Sequence, residues 1–246
     1  MGNEPQRNQG QKSMVITSDL LRTFPVLRPF PDPILTQLAG QSTLKKFARR
    51  AIVLNAGTRE DYLCFLFEGR LQGVDFTIDG REVGLYFVEP GDFCGELGLY
   101  DDGPQPEYVI ALAASSVVMV PVEQLRQIMH NAPEVVSMLG AKLAARVRQL
   151  TFQRSLLGLP NITQRVCCQL WALVPESDRK DSRASELKNP PTHMEIAIML
   201  NISRETVTRV FQALQSRKIV KRDGPTRLLV NDVILLRELA EGKGEL

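Results

Sequence analysis

Residues 190–217 read PPTHMEIAIMLNISRETVTRVFQALQSR, and the way this stretch breaks and caps itself decides the fold. Pro190 and Pro191 cannot continue a helix. Thr192, with Glu195 three residues on, spells a T-x-x-E capping box that opens a new helix carrying Ile196, Met199 and Leu200. Asn201 interrupts it. Ser203 offers a second N-cap, and the helix behind it sets Val207, Val210, Phe211 and Leu214 on one face. Two short helices joined by a tight turn, the second longer, make a helix-turn-helix pattern.

The opposite face of the second helix shows Arg204, Glu205, Thr206, Thr208 and Arg209. Arginine binds guanine through two hydrogen bonds in the major groove, and glutamate accepts from cytosine. A recognition helix presents its N-terminal residues to base edges, which is where Arg204 and Glu205 stand. Taken alone, the same residues would suit an ordinary solvated helix. The flank decides between the two. Ile219 and Val220, then KRDGPTR, then Leu228, Leu229 and Val230 read as a β-hairpin turning at Asp223-Gly224, a wing. From Ser203 to Arg227 seven Lys or Arg face two acids, in a chain whose net charge is only +2. Lys218, Lys221, Arg222 and Arg227 could neutralise phosphates. The expected double-stranded DNA interface is therefore Thr192, Ser203, Arg204, Glu205, Thr206, Thr208, Arg209, Lys221 and Arg222.

Working towards the N-terminus, PESDRKDSRASELKNPP (175–191) reads as a polar loop. Asn161 can cap a helix over 162–173 in which Trp171 is expected to be buried. Leu157-Gly158-Leu159-Pro160 breaks the chain, a hinge between two modules. Before it, a helix restarting at Pro133 repeats Val136, Leu139, Leu143, Val147, Leu150 and Leu157 close to heptad spacing. Small residues beside them allow close approach, so pairing with a second copy fits better than packing on its own domain. On the C-terminal side of the wing, Asn231 or Asp232 caps a closing helix.

Between Lys45 and Pro121 the period changes to two. Val74, Phe76 and Ile78 alternate with polar residues, Asp79-Gly80 turns, and Val83, Leu85 and Phe87 return. Gly57, Gly69, Gly80 and Gly91 punctuate short strands, which suggests a small β-sandwich or barrel. Residues 19–40 hold two helical pieces separated by prolines. At 43% hydrophobic over 246 residues, the chain can bury one large or two modest cores. No apolar run is long enough to span a membrane, and MGNEPQRNQGQKS has no secretory h-region, so a cytoplasmic protein is expected. The four cysteines form no disulfide framework or metal-ligand spacing, and His130 and His193 read as surface residues. Cys94, beside Glu96, is a candidate redox or electrophile sensor, although buried structural cysteines are commoner. No nucleophile–base pair or metal constellation supports an enzyme.

The stretch ISRETVTRVFQAL (202–214) resembles the recognition helix of the CRP/FNR superfamily of bacterial transcription regulators, and the likeness extends over nearly the whole chain from about residue 19. It implies an α+β chain. Residues 1–18 would be a disordered tail and 19–131 a cyclic-nucleotide-binding-like β-roll, a jelly roll acting as sensor. Residues 132–158 would form a dimerisation helix and 161–246 a winged helix-turn-helix. It further implies a homodimer, contact with RNA polymerase, a TGTGA-like palindrome, and base-reading by Arg204, Glu205 and Arg209. A signal in the β-roll would shift the paired long helices.

Within that resemblance, GDFCGELGLYDDG (91–103) is similar to the family's ligand cassette. Gly95 and Leu97 match backbone positions facing the ligand phosphate, and Glu96 matches the acid that accepts from the ribose. The family's phosphate-gripping Arg falls at Gln105 or Pro106, according to a one-residue choice of alignment. Its adenine-contacting pair falls at Leu150 and Thr151. From Glu82 through Leu125 there is no Lys or Arg, against eight carboxylates: Glu82, Glu89, Asp92, Glu96, Asp101, Asp102, Glu107 and Glu123. The expected effector is thus a nucleotide or other small molecule, not cyclic AMP held in the family's way, unless Arg59, Arg70 or Arg81 reaches in. The other class to weigh is a small-molecule sensor whose C-terminal domain acts through protein contacts.

Overall fold

Pro25, Pro29, Pro31 and Pro33 keep the first helical segments short. The computed structural model describes residues 15–181 and 183–246. The expected tail, 1–18, falls outside them except for its last four residues. There Thr17 accepts from Leu20 N and caps α1 (Ser18–Arg22), so Ser18 is helical rather than part of a tail. The helix α2 follows (Asp32–Gln41), with proline in its first turn.

The described residues up to Gln72, with Phe87–Leu143, form one compact unit. It holds the strands β1 (Thr43–Phe47), β2 (Ile52–Leu54), β3 (Tyr62–Glu68), β6 (Phe93–Cys94), β7 (Tyr108–Ala111) and β8 (Ser115–Pro121), with the first two residues of β4 (Leu71–Phe76) and the last two of β5 (Glu82–Val88), whose remainder belongs to the second unit. They make two four-stranded sheets, β1-β8-β3-β6 and β2-β7-β4-β5. β3 pairs antiparallel with β8, Phe65 opposite Val118, and with β6, Phe65 opposite Phe93. Phe24, Phe65 and Phe93 pack ring to ring at 4.9 and 5.6 Å, tying the α1–α2 segment to this sheet. Each such buried ring contributes roughly 1.5–3 kcal/mol. The helix α3 (Val122–Met129) closes the roll with Leu125 and Met129 in the same core.

The β4–β5 turn at Asp79-Gly80 is as the alternation predicts, with Gly80 at φ 77°. Of the alternating apolar residues Val74, Phe76 and Ile78, only Val74 is buried. β4 ends at Phe76, so Phe76 and Ile78 ride out on the exposed tip.

Gly73–Tyr86 and Ala144–Leu246 form the second unit. Helix α4 (Pro133–Leu157) ends at the Gly158 break, and Asn161 caps α5 (Ile162–Leu173) by accepting from Gln164 N at 3.1 Å. Trp171, expected to be buried, is half-buried, with Arg179 5.6 Å from its ring centroid. Residues 175–191 are not merely a loop. They fold into α6 (Glu176–Asp181) and β9 (Ser185–Lys188), whose Leu187 is buried opposite Leu228. Then come α7 (His193–Leu200), α8 (Arg204–Ser216), β10 (Val220–Asp223), β11 (Arg227–Val230) and α9 (Val233–Ala240). The wing is a three-stranded sheet, β10-β11-β9. Asp232 caps α9 by accepting from Leu235 N at 2.8 Å. Among the described residues no helix is long and apolar enough to cross a membrane.

Candidate nucleic-acid interface and effector pocket

The capping box forms as the sequence predicts. Thr192 Oγ1 accepts from Glu195 N at 3.2 Å, and Glu195 Oε2 accepts from Thr192 N at 2.8 Å. Asn201 takes a left-handed conformation (φ 50°, ψ 50°) to end α7, and Ser203 Oγ accepts from Thr206 N at 3.2 Å to start α8. Val207, Val210, Phe211 and Leu214 of α8 are buried with Ile196, Leu200 and Leu228. With that face fixed, Arg204, Glu205 and Arg209 project into solvent.

The two threonines of this helix, both expected at the interface, are half-buried and bond within the helix. Thr206 Oγ1 accepts from Arg209 Nη2 at 3.2 Å and shares a hydrogen with Ser203 Oγ at 2.9 Å. Thr208 donates to Arg204 O at 3.0 Å. Thr206 thus steadies the Arg209 side chain, and Thr208 the backbone at Arg204. His193 departs from the surface reading as well: its ring packs on Phe211 and its Nδ1 meets Thr208. Burial, then the charges of Arg222 and Arg204, hold its pKa below the ordinary 6.5. The wing's Arg222 and the recognition helix's Arg204 therefore converge on one positive region. Lys221 is exposed there, whereas Arg227 is held by Glu186 at 2.9 Å and Asp223 at 3.3 Å.

In the first unit, Gly95 adopts φ 87° and opens a 3₁₀ turn over Glu96–Leu99. A Cβ there would meet Tyr62 O at 3.1 Å, so glycine serves both conformation and space. Glu96 is buried and Leu97 half-buried. Gln105 is buried and its backbone pinned by Thr58 O and Gly57 N, each at 2.8 Å. Its side-chain amide donates to Glu107 Oε1 at 2.9 Å, while Pro106 is exposed. A cyclic phosphate would thus face a carboxylate-bound carboxamide where a guanidinium is required. The arginines that could have compensated are engaged elsewhere: Arg59 with Asp102 at 2.8 Å, Arg70 with Glu89 at 2.7 Å, and Arg81 with Asp79 at 2.9 Å. The residues present do not fit a cyclic nucleotide held by its phosphate. Leu150 and Thr151 lie on α4 in the second unit, both exposed.

The apolar stripe on α4 splits in two. Val136, Val147, Leu150 and Leu157 face solvent, Val147 being 62% exposed, and Leu143 is half-buried. Leu139 is fully buried in the core of its own sensor unit. Buried polar residues occupy α4 too: Gln153 donates to Gln169 of α5 at 3.0 Å, and the Arg146 guanidinium lies 3.2 Å from the Tyr86 ring centroid. Sequence reasoning missed Arg146. Its one signal was a cation seven residues after the buried Leu139, on the same side of the helix. Cys64 and Cys94 face each other across β3 and β6, both buried.

Two family models match the chain: a cyclic nucleotide-binding domain over residues 44–132 and a Crp-like helix-turn-helix domain over 164–239. A cAMP-activated global transcriptional regulator CRP from Pasteurella multocida is 26% identical over 199 residues, covering 80% of this chain and 95% of that one. The cAMP-activated global transcriptional regulator Vfr of Pseudomonas aeruginosa is 27% identical over 199 residues, covering 79% and 92%. Among solved structures, FixK2 from Bradyrhizobium japonicum shares the fold with a TM-score of 0.67 at 22% identity, over 80% of this chain and 96% of that chain.

Proposed function

The chain belongs to the CRP/FNR family of DNA-binding transcription regulators, and we propose that it works as a homodimer reading a TGTGA-like palindrome. The observation that carries the reading is a recognition helix N-capped by Ser203 and holding Arg204, Glu205 and Arg209 outward on a buried apolar base. Arg204 and Arg209 suit guanine edges, Glu205 suits cytosine, and Lys221 and Arg222 of the wing suit phosphates. The solvent-facing stripe Val136–Val147–Leu150–Leu157 supports dimerisation, because apolar side chains in register along one long helix are stabilised by a second copy. In such a dimer the two recognition helices would meet half-sites about 34–36 Å apart. A shift of α4 would move them in or out of that spacing. Contact with RNA polymerase and a cytoplasmic setting complete the proposal.

Cyclic AMP in the family's usual pose is not the effector in this reading, given Gln105 bound to Glu107. Fluorescence anisotropy with a TGTGA-N6-TCACA duplex, with and without cyclic AMP, tests it. Tight binding that ignores cyclic AMP is expected. Binding that appears only with cyclic AMP would show that a cation reaches the phosphate after all. Equal affinity for the palindrome and a scrambled duplex would remove the base-reading claim.

A further inference from the structure

The ring of Tyr86 is layered between the backbone of Gly73 and the guanidinium of Arg146. Arg146 Cζ stands 3.2 Å from the ring centroid. On the other side, a Cβ built on Gly73 would come within 2.5 Å of Tyr86 Cζ, so any residue but glycine would push the ring away. Tyr86 is 2% exposed and Arg146 8%. Cation–π contacts strengthen when both partners leave water. The three layers come from β4, β5 and α4, elements joined here by one ring.

The same side of α4 carries two further anchors within this unit. Gln153 is bonded to Gln169 of α5, and Leu156 lies in the core that holds the recognition helix. The hairpin ring, the C-terminal half of α4 and the DNA-reading core are thus joined in series by buried contacts. A planar, electron-rich group against a buried arginine is how an aromatic ligand would be held on this helix. Here the chain supplies that group itself.

We propose that Tyr86 is a resident ligand: its ring sets α4 in the DNA-competent position without an added effector, and a planar molecule seeking Arg146 would have to displace it. The inference rests on α4 being the link between sensor and reader. Its test is arranged so that the two can fail separately.

Hydrogen exchange of the α4 amides over 144–157 is followed in full-length wild type, Tyr86→Phe and Tyr86→Ala, with and without millimolar p-cresol. The same samples are titrated against the palindromic duplex. Tyr86→Ala should speed exchange of that segment about tenfold and weaken DNA binding about tenfold, as a broken buried contact does. p-Cresol should reverse both, filling the vacated seat, and Tyr86→Phe should keep wild-type exchange because it keeps the ring. Exchange over 144–157 that is unchanged in Tyr86→Ala overturns the proposal. So does acceleration spread over the whole chain and indifferent to p-cresol, which would make the ring ordinary core packing. If p-cresol restores exchange while wild type binds no duplex, the seat stands and the DNA-target reading falls. If exchange responds but DNA affinity does not, the ring does not govern DNA competence and the proposal is lost.

Discussion

His193 Nδ1 lies 3.0 Å from the hydroxyl oxygen of Thr208. That hydroxyl has one hydrogen and gives it to Arg204 O, so it can only accept from His193, which must carry its proton on Nδ1. The first helix of the pair thereby holds the backbone from which Arg204 projects. Position 193 therefore has a structural task within the helix pair.

A pH dependence follows. The folded-state pKa of His193 is pushed below 6.5, first by burial and then by Arg222 and Arg204. The unfolded chain then binds a proton near pH 6.5 that the folded chain refuses, so stability falls as pH drops below about 6.5 towards the folded value. Above that window the group contributes no slope. Urea denaturation of wild type and His193→Gln at pH 7.5 and 5.5 checks this. The wild type should lose more stability between the two values than the variant, and an equal loss in both would remove His193 from the account.

Arg204→Ala should cost about 1–3 kcal/mol of specific binding and relax preference at one G·C pair, with little change on random DNA. Lys221→Ala should weaken every duplex alike and reduce the slope of log affinity against log salt by roughly one phosphate contact. Competition anisotropy over a salt series separates them. Arg227→Ala should have a smaller effect on the slope than Lys221→Ala, because Glu186 and Asp223 already hold Arg227. Equal loss on specific and random DNA for Arg204→Ala would contradict base reading.

The parts of this fold that were legible in the sequence are those written in local chemistry. Thr192 and Glu195 cap a helix whatever lies beyond them, and Asp223-Gly224 turns a hairpin with only its neighbours' help. β9 was hidden because Ser185–Lys188 is too short to show alternation, and its partner β11 lies some forty residues on. The two faces of α4 could not be separated, since apolar residues at heptad spacing mark a buried side and a pairing side equally. Tyr86 on Arg146 was illegible for the same reason at longer range: neither residue departs from its local pattern, and only the tertiary fold stacks them.

The split stripe on α4 makes two substitutions diverge. Val147 is 62% exposed, so Val147→Glu should leave the folded chain nearly as stable while placing a charge in the proposed dimer seam. Light scattering should show a shift to monomer at micromolar concentration, together with loss of palindrome binding. Leu139 is fully buried in the sensor core, and Leu139→Ala should instead cost about 2–5 kcal/mol of stability. A Val147→Glu protein that remains dimeric would place the seam elsewhere.

The cysteines bear on whether oxidants could be the signal. Burial, helped by Cys168, pushes the Cys167 thiol up to about 12, and burial raises Cys168 as well, whose Sγ donates to Ala240 O at 3.1 Å. The thiolate is the reactive form. Against a free cysteine near pKa 8.5, a thiol near 12 carries roughly a thousandfold less thiolate at pH 8. Cys64 and Cys94 are fully buried in the sheet, out of reach of a reagent in solution while the fold stays closed. Iodoacetamide at pH 8 should therefore label native protein at none of the four within minutes, and all four once it is unfolded in urea, as read by intact mass. Rapid native labelling at Cys94 alone would restore it as a sensor, because it would show that β6 opens to solvent on a time scale that an oxidant could use.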